Sequence, residues 1–571
     1  MKDKRVQLWI LIAFLLACTT IGYAAVPQST IRTTGGGITT YVGHYFNFTE
    51  GLYQGATQLI DDTGNADLTS VDADQYYLNT VNITNTVIKE TTTYTIWTSG
   101  LNYKMKNGFT GETTTETYIA SHIDAIKTAN PSGYYHILLK RGNYTQHRGW
   151  DFEGADNWVL SGSGPGTVIT RKDQSTTTLT AGASIGEDTV TVTSVLGFIV
   201  GEEIEINDGA NYDTLIIDSI GANTLTFTTD LTNNYNIGDP VFSVWTQIES
   251  NYADNIYLRD LTLDGNNNNW PTTSVPACSY LYCTYFWRGD NKNIENVVFQ
   301  NYLRVAADMG PSGDNGYARS YITNCEFLNG GVGIVIQSMN SSGIISDCTF
   351  TNITGQEAIE GEKCSYISVD NCRFDDISQY AFYANGYAGV IQFTNNRGEG
   401  LIQTRSEVGG TYVGNNVMYN CSIYIQGKST GENCKTFVCS ENQILSMNTK
   451  QKYGIYLKDC ENGILESNIV TGLGTEIGGY TGIRIYTDVV NVTISNNKIT
   501  NARYGIDWNG GAAWFYVHDN DLGNNHFPMY STISSGAILR DNEGYTEFGD
   551  LRLNVNATEI YNSTAWVQIN P

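Results

Sequence analysis

Positive charge is scarce in this chain: 32 Lys and Arg stand against 58 Asp and Glu, a formal charge of −26 over 571 residues. That balance excludes phosphate-backbone binding, which needs clustered cations to displace counterions, so no nucleic-acid partner is expected. Histidine is equally sparse, with six residues. No Cys-x-x-Cys pair occurs, which removes the usual zinc-site spacings. Charged residues make up only 16% of the chain and proline is limited to nine, whereas there are 59 Gly and 38 Tyr. A sequence poor in charge and rich in Gly, Tyr, Thr and Asn is not helical, and its composition favours strands and turns.

Long apolar runs are also missing after the N-terminus. The opening MKDKRVQLWILIAFLLACTTIGYAA has a basic start, a hydrophobic run from Val6 to Ala17 and small residues at Gly22 and Ala24. It reads as a secretory signal over residues 1–24, with membrane contact only if this segment stays uncleaved. The expected location is secreted or cell-surface. Loss of Cys18 with the signal leaves ten cysteines, an even number. Cys278 with Cys283 and Cys434 with Cys439 are the local candidates for bridges, against the alternative of buried thiols.

What is present is a repeat. SYITNCEF, GIISDCTF and YISVDNCRF carry cysteine at 325, 348 and 372, and Asn396, Asn416, Asn442, Asn468, Asn497 and Asn520 continue the same slot. Spacings of 20 to 29 residues with an alternating strand before each slot mark a solenoid with loops of variable length. A further strand opens each coil, as in GIVIQ, GIYLK and GIRIY. About three short strands per coil predict an all-β right-handed parallel β-helix. The slot is expected at a bend where one residue is left-handed, a conformation Asn tolerates best after Gly, with the amides bonding from coil to coil.

Upstream, TETYIASHIDAIKTANPSG places Ile119, Ile123 and Ile126 on one helical face that ends before Pro131. With YYHILLKRGNYT and VLSGSGPGTVITR after it, this order resembles the pectin-lyase-like superfamily, in which a helix caps the open core. TYTIWTSGLNYKMKNGFTGE and ILRDNEGYTEFG extend the resemblance over roughly residues 90–550. The expected divisions are a polar segment at 25–90, a hairpin preface, cap helix and first coils at 91–180, an inserted small β-barrel at 181–247, a β-helix at 248–550 and a tail at 551–571. The resemblance implies a protein that binds and cleaves an extracellular, acidic polysaccharide. The same scaffold also serves non-catalytic adhesins and envelope proteins.

Alternation within the opening strands puts Ile455 and Leu457 inside and Tyr456 and Lys458 outside. The same register sends outward Asp308, Glu360, Glu362, Tyr383, Asn385, Gln403, Arg405, Tyr424, Gln426, Arg484, Tyr486 and Asp507. Such a column suits an extended glycan, through rings against sugar faces and guanidinium against uronate. For β-elimination, Arg405, Lys458 or Arg484 is the candidate base and Tyr424, Tyr456 or Tyr486 the proton donor, with calcium the ion that the resemblance implies. For hydrolysis, Glu360 with Glu362, and Asp308 nearby, supply the two carboxyls. The Gly-His-Gly of the polygalacturonase branch is absent, and Asp375 and Asp376 fall on another strand. The aromatic loop at 264–290 adds Trp270 and Trp287 as candidate walls of a cleft.

Overall fold

In the computed structural model, the residues described are 38–42, 45–48, 52–54, 57–60, 92–270, 281–310, 318–338, 340–385, 389–405, 409–427, 434–447, 452–472, 480–508, 513–531, 537–540, 542, 560–562 and 565–567. The signal segment, Cys278 and most of residues 541–571 lie outside them. The chain divides into two units, Met1–Thr91 and Thr92–Pro571. In the first, Ile38–Val42 pairs antiparallel with Tyr45–Phe48, and Leu52–Gln54 with Thr57–Ile60.

The second unit is a parallel β-solenoid. Opening strands of successive coils form one thirteen-stranded parallel sheet, and the second and third strands of each coil stack in the other large sheet. Side chains that alternate inward fill a continuous core, of which Ile455, Leu457, Ile483, Ile485 and Ile506 are fully buried members. Two residues past the slot the interior column is aromatic. Phe299, Phe327, Phe350 and Phe374 stack with centroids 5.0, 4.7 and 5.1 Å apart, and Phe393, from the strand before the next slot, closes the stack 5.9 Å from Phe374. Identical residues recur because each coil meets its neighbour through the same position.

The slot is a buried ladder. The Cys372 amide donates to Asn396 Oδ1 at 2.8 Å, Asn396 to Asn416 at 2.9 Å, and so on through Asn442, Asn468, Asn497 and Asn520 to Asn542 at 3.1 Å. The left-handed residue, however, is the one before it. Asn324, Asp347, Asn371, Asn395, Asn415, Glu441, Ser467, Asn496 and Asp519 have φ between 51° and 58°. This corrects the expected bend by one position, and the reason is a division of labour. The exposed residue turns the chain, so the next side chain points inward and its amide oxygen can accept from the adjoining coil.

A glycine recurs at the opening-strand corner because a Cβ there has no room. At Gly482 it would sit 2.2 Å from Ile499 Cγ2 and 2.6 Å from the Gly505 carbonyl oxygen. At the other end of the solenoid, the helix Ile119–Ala129 buries Ile119, Ile123 and Ile126 in the main core. Between Thr176 and Ser243 lies a six-stranded antiparallel sheet with a separate core that includes Ile204, Ile206, Leu215 and Leu225. The coils resume at Ile248–Asn251 and Ile256–Asp264.

Cys434 and Cys439 are not bridged to each other. They and the other seven cysteines among the described residues, Cys283 included, are free and buried. Residues five apart on a solenoid fall at different points of one coil, and here Cys434 pairs in register with Cys460 of the next. Burial pushes the thiols of Cys283, Cys364 and Cys439 up to about 12. Alkylation by iodoacetamide is therefore expected to spare these three in the native protein and to label them after urea unfolding, as read by peptide mass mapping. Labelling at equal rates in both states would contradict the buried placement.

Candidate functional site

The opening-strand sheet generates two outward columns. In the first, Glu249, Tyr285, Asp308, Val335, Glu360, Tyr383, Gln403, Tyr424, Tyr456, Arg484 and Asp507 lie in register on successive coils. Two residues along each strand the second column contains Gln337, Glu362 and Asn385, then Arg405, Gln426 and Lys458. Trp287 precedes this column on the strand Thr284–Trp287, and Tyr486 continues it past Ile485. The side chain of Asn385 is not among those described.

Several of these side chains are more covered than outward alternation implies. Asp308 is 2% exposed, Asp507 5%, Gln403 6% and Tyr424 8%. The column is thus a recessed seam, because large neighbours one coil away lean over the smaller groups. Tyr424 and Tyr456 have ring centroids 5.0 Å apart, and Tyr456 and Tyr486 are 6.0 Å apart. Trp270 does not line it. Its ring is buried with Phe242, Val244, Trp245 and Leu281, and its indole N–H donates to the Lys172 carbonyl. A large apolar ring in that loop gains more from covering the early coils than from facing water. Trp287 does belong to the outward face, stacked 5.0 Å from Tyr285.

The seam has two chemically different halves. Toward the C-terminal coils its cations are engaged. Arg484 pairs with Asp507 at 3.7 Å, donates to Tyr453 Oη at 3.1 Å, and lies between the rings of Tyr453 and Tyr486. With its amide in the orientation that satisfies both ends, Gln403 accepts twice from the Arg405 guanidinium at 3.0 Å, and Arg405 sits over the Tyr383 ring. Lys458 pairs with Asp459 at 3.7 Å. Each of these contacts fixes the cation in place and occupies it.

Toward the N-terminal coils the groups are carboxyls out of water. Burial, then the nearby Glu357, Glu362 and Asp308, pushes Glu360 up to about 7. Asp308 is also pushed up to about 7, chiefly by burial, which outweighs the opposing pull of Lys292 and Arg304. One carboxylate oxygen of Asp308 is buried without a hydrogen-bond partner. Asp308 and Glu360 stand two coils apart, about 9.6 Å along the axis, separated only by Val335. Glu362, two residues beyond Glu360, is tied to Lys363 at 3.3 Å. Among the described residues, no three His, Cys, Asp or Glu side chains converge to hold a metal ion.

Sequence reasoning missed two kinds of neighbour. Lys292 is fully buried inside the coil beneath Asp308, donates to the Phe286 carbonyl at 2.6 Å, and is pushed down to about 7 by burial. An interior lysine has no signal in an alternation pattern. Glu357, Tyr380 and Tyr453 were missed because alternation breaks at the corner. Gly454 and Ile455 both face inward, which returns Tyr453 to the outer surface. The recurring Gly-Ile pair could have revealed this.

A family model described as "Right handed beta helix region" matches residues 247–418 and 423–545. No curated protein matches the chain. Among solved structures, the Pseudomonas phage phi297 tailspike gp61 is 13% identical over 76% of each chain, with a TM-score of 0.36. The N-terminal fragment of bacteriophage Phi29 gene product 12 is 14% identical, covering 74% of this chain and 68% of that one, with a TM-score of 0.39. The catalytic domain of a GH87 alpha-1,3-glucanase in complex with nigerose is 11% identical, covering 77% and 66%, with a TM-score of 0.34.

Proposed function

Because this chain belongs to the right-handed β-helix family, we propose that it is a secreted protein that binds an extracellular polysaccharide along the seam and cleaves it by hydrolysis. The observation that carries this reading is the Asp308 and Glu360 pair, two recessed carboxyls both raised to about 7. A glycosidase needs one carboxyl that still holds a proton at neutral pH and a second that can act as base. Glu360, the less covered of the two, is the proton donor to the glycosidic oxygen. Asp308 takes the proton from the attacking water. The backbones are two coil rises apart, about 9.6 Å, far from the roughly 5–5.5 Å between carboxyls of retaining enzymes and just above the range of about 6.5–9.5 Å that leaves room for water, so inversion is the expected stereochemistry.

The second half of the seam binds. Tyr383, Tyr424, Tyr456 and Tyr486 offer rings to sugar C–H faces, while Arg405, Lys458, Gln426 and Gln403 meet hydroxyls or uronate groups. β-Elimination is less favoured, because its candidate bases Arg405, Lys458 and Arg484 are each already engaged by an amide or a carboxylate.

The test is incubation with neutral and uronic-acid polysaccharides, with and without calcium. New reducing ends without ultraviolet absorbance are the expected result. Absorbance from an unsaturated product would replace hydrolysis by elimination, and binding without cleavage would leave an adhesin.

A further inference from the structure

The third strands of the coils carry another set of polar groups, and they are not evenly satisfied. Arg373 and Arg397 lie directly in register on adjacent coils. Like charges so placed repel, and one such position costs stability unless each charge is met. Arg373 is met, by Asp375 at 2.6 Å. The equivalent partner for Arg397 is Glu399, two residues on, but Glu399 turns to the neighbouring coil and accepts the Asp376 amide at 2.5 Å. Among the described residues Arg397 makes no ion pair, and its side chain is exposed.

A hollow opens at this point, lined by Arg373, Asp375, Arg397, Glu399 and Tyr419 over a floor of Phe374 and Gly398. The floor is recessed because Gly398, at φ +132°, lies so close to the previous coil that a Cβ would fall 1.9 Å from the Phe374 carbonyl oxygen. Tyr419, one coil further on, is 53% exposed and gives the hollow an aromatic wall.

We infer that this hollow is a second saccharide subsite that takes one sugar residue bearing a carboxylate. Arg397 holds the carboxylate through its planar fork, Tyr419 stacks on the ring, and the free Glu399 oxygen accepts from a hydroxyl. On a protein of formal charge −26, an anionic sugar is retained only where a guanidinium is locally unopposed, and Arg397 meets that condition. The subsite shares no residue with the seam. It would hold an acidic chain to the protein without taking part in bond cleavage.

Saturation-transfer difference NMR with methyl glucuronide and methyl glucoside tests it on the full chain. Methyl glucuronide is expected to saturate in the millimolar range and methyl glucoside to bind at least about tenfold more weakly. Arg397→Ala and Tyr419→Ala should each lose the glucuronide signal, and Glu360→Gln should keep it while losing any hydrolysis. That last variant separates failure of this subsite from failure of the proposed activity. Absence of a saturable signal, equal affinity for the two glycosides, or an unchanged Arg397→Ala would overturn the inference. Acetate binding as tightly as methyl glucuronide would also overturn it, since the hollow would then be a bare anion contact.

Discussion

Glu360→Gln lowers the rate of polysaccharide cleavage by roughly 10²–10⁴-fold while leaving substrate binding nearly intact, the loss expected when a positioned proton donor is removed. The isosteric amide fills the same space but cannot transfer a proton. In the wild type, cleavage should fall as the pH rises through about 7, where Glu360 ionises. The stability of the variant provides the control. An acid whose pKa is higher in the folded state binds more protons folded than unfolded, so its contribution to stability declines as pH rises from the unfolded value near 4.5 through about 7. Removing that acid removes the decline. Glu360→Gln should therefore be more resistant to urea than the wild type at pH 8, and indistinguishable from it at pH 4. A variant that keeps wild-type turnover would eliminate Glu360 as the acid. One that loses turnover only because it unfolds at pH 8 would contradict the raised pKa.

Asn442→Ala is the second large effect, and it falls on stability. Asn442 Oδ1 accepts from the backbone amide of Asn416 at 3.3 Å and from its side chain at 2.8 Å, while Asn442 Nδ2 donates to the Val413 carbonyl at 2.9 Å. All of these groups are buried, so truncation leaves donors and an acceptor with neither protein nor water. Each orphaned group costs about 1–3 kcal/mol, which gives a loss of roughly 2–5 kcal/mol. The loss should be local, because a solenoid coil is held mainly by its neighbours. Hydrogen exchange of the Asn416 and Asn468 amides should accelerate, with little change near Tyr144. Asn442→Cys should lose less, since cysteine already occupies this slot at Cys348, where Sγ donates to the Ser346 carbonyl at 3.2 Å. Wild-type exchange rates in Asn442→Ala would mean that the ladder does not hold the coils together.

The solenoid was legible because its constraint is one-dimensional. A coil that must repeat its bend every 20 to 29 residues writes the same residue types at each pass, and the interior Asn, Phe and Ile positions followed from alignment within the chain itself. The offset of the left-handed residue was not legible. Both members of pairs such as Asn395 and Asn396 satisfy a turn preference, and only the direction of the side chain separates the exposed one from the buried one. The strict alternation that located Tyr456 and Lys458 failed at the corner, where two consecutive residues face inward.

By itself, then, the sequence determined the all-β class, the parallel coil, the register of each coil and the strand on which the outward column lies. Tertiary structure decided which members of that column keep or lose contact with water. Asp308 and Glu360 are ordinary carboxyls in the sequence, and their shift to about 7 comes first from burial and then from carboxyl neighbours, against the opposing pull of Lys292 and Arg304 on Asp308. It also decided that Arg405 and Arg484 are engaged, that Trp270 is core, and that Arg397 has no ion-pair partner among the described residues. Periodicity records the constraint each residue feels along its own coil. Burial and pairing depend on residues 20 to 30 positions away, whose distance in space is set only when the coils stack.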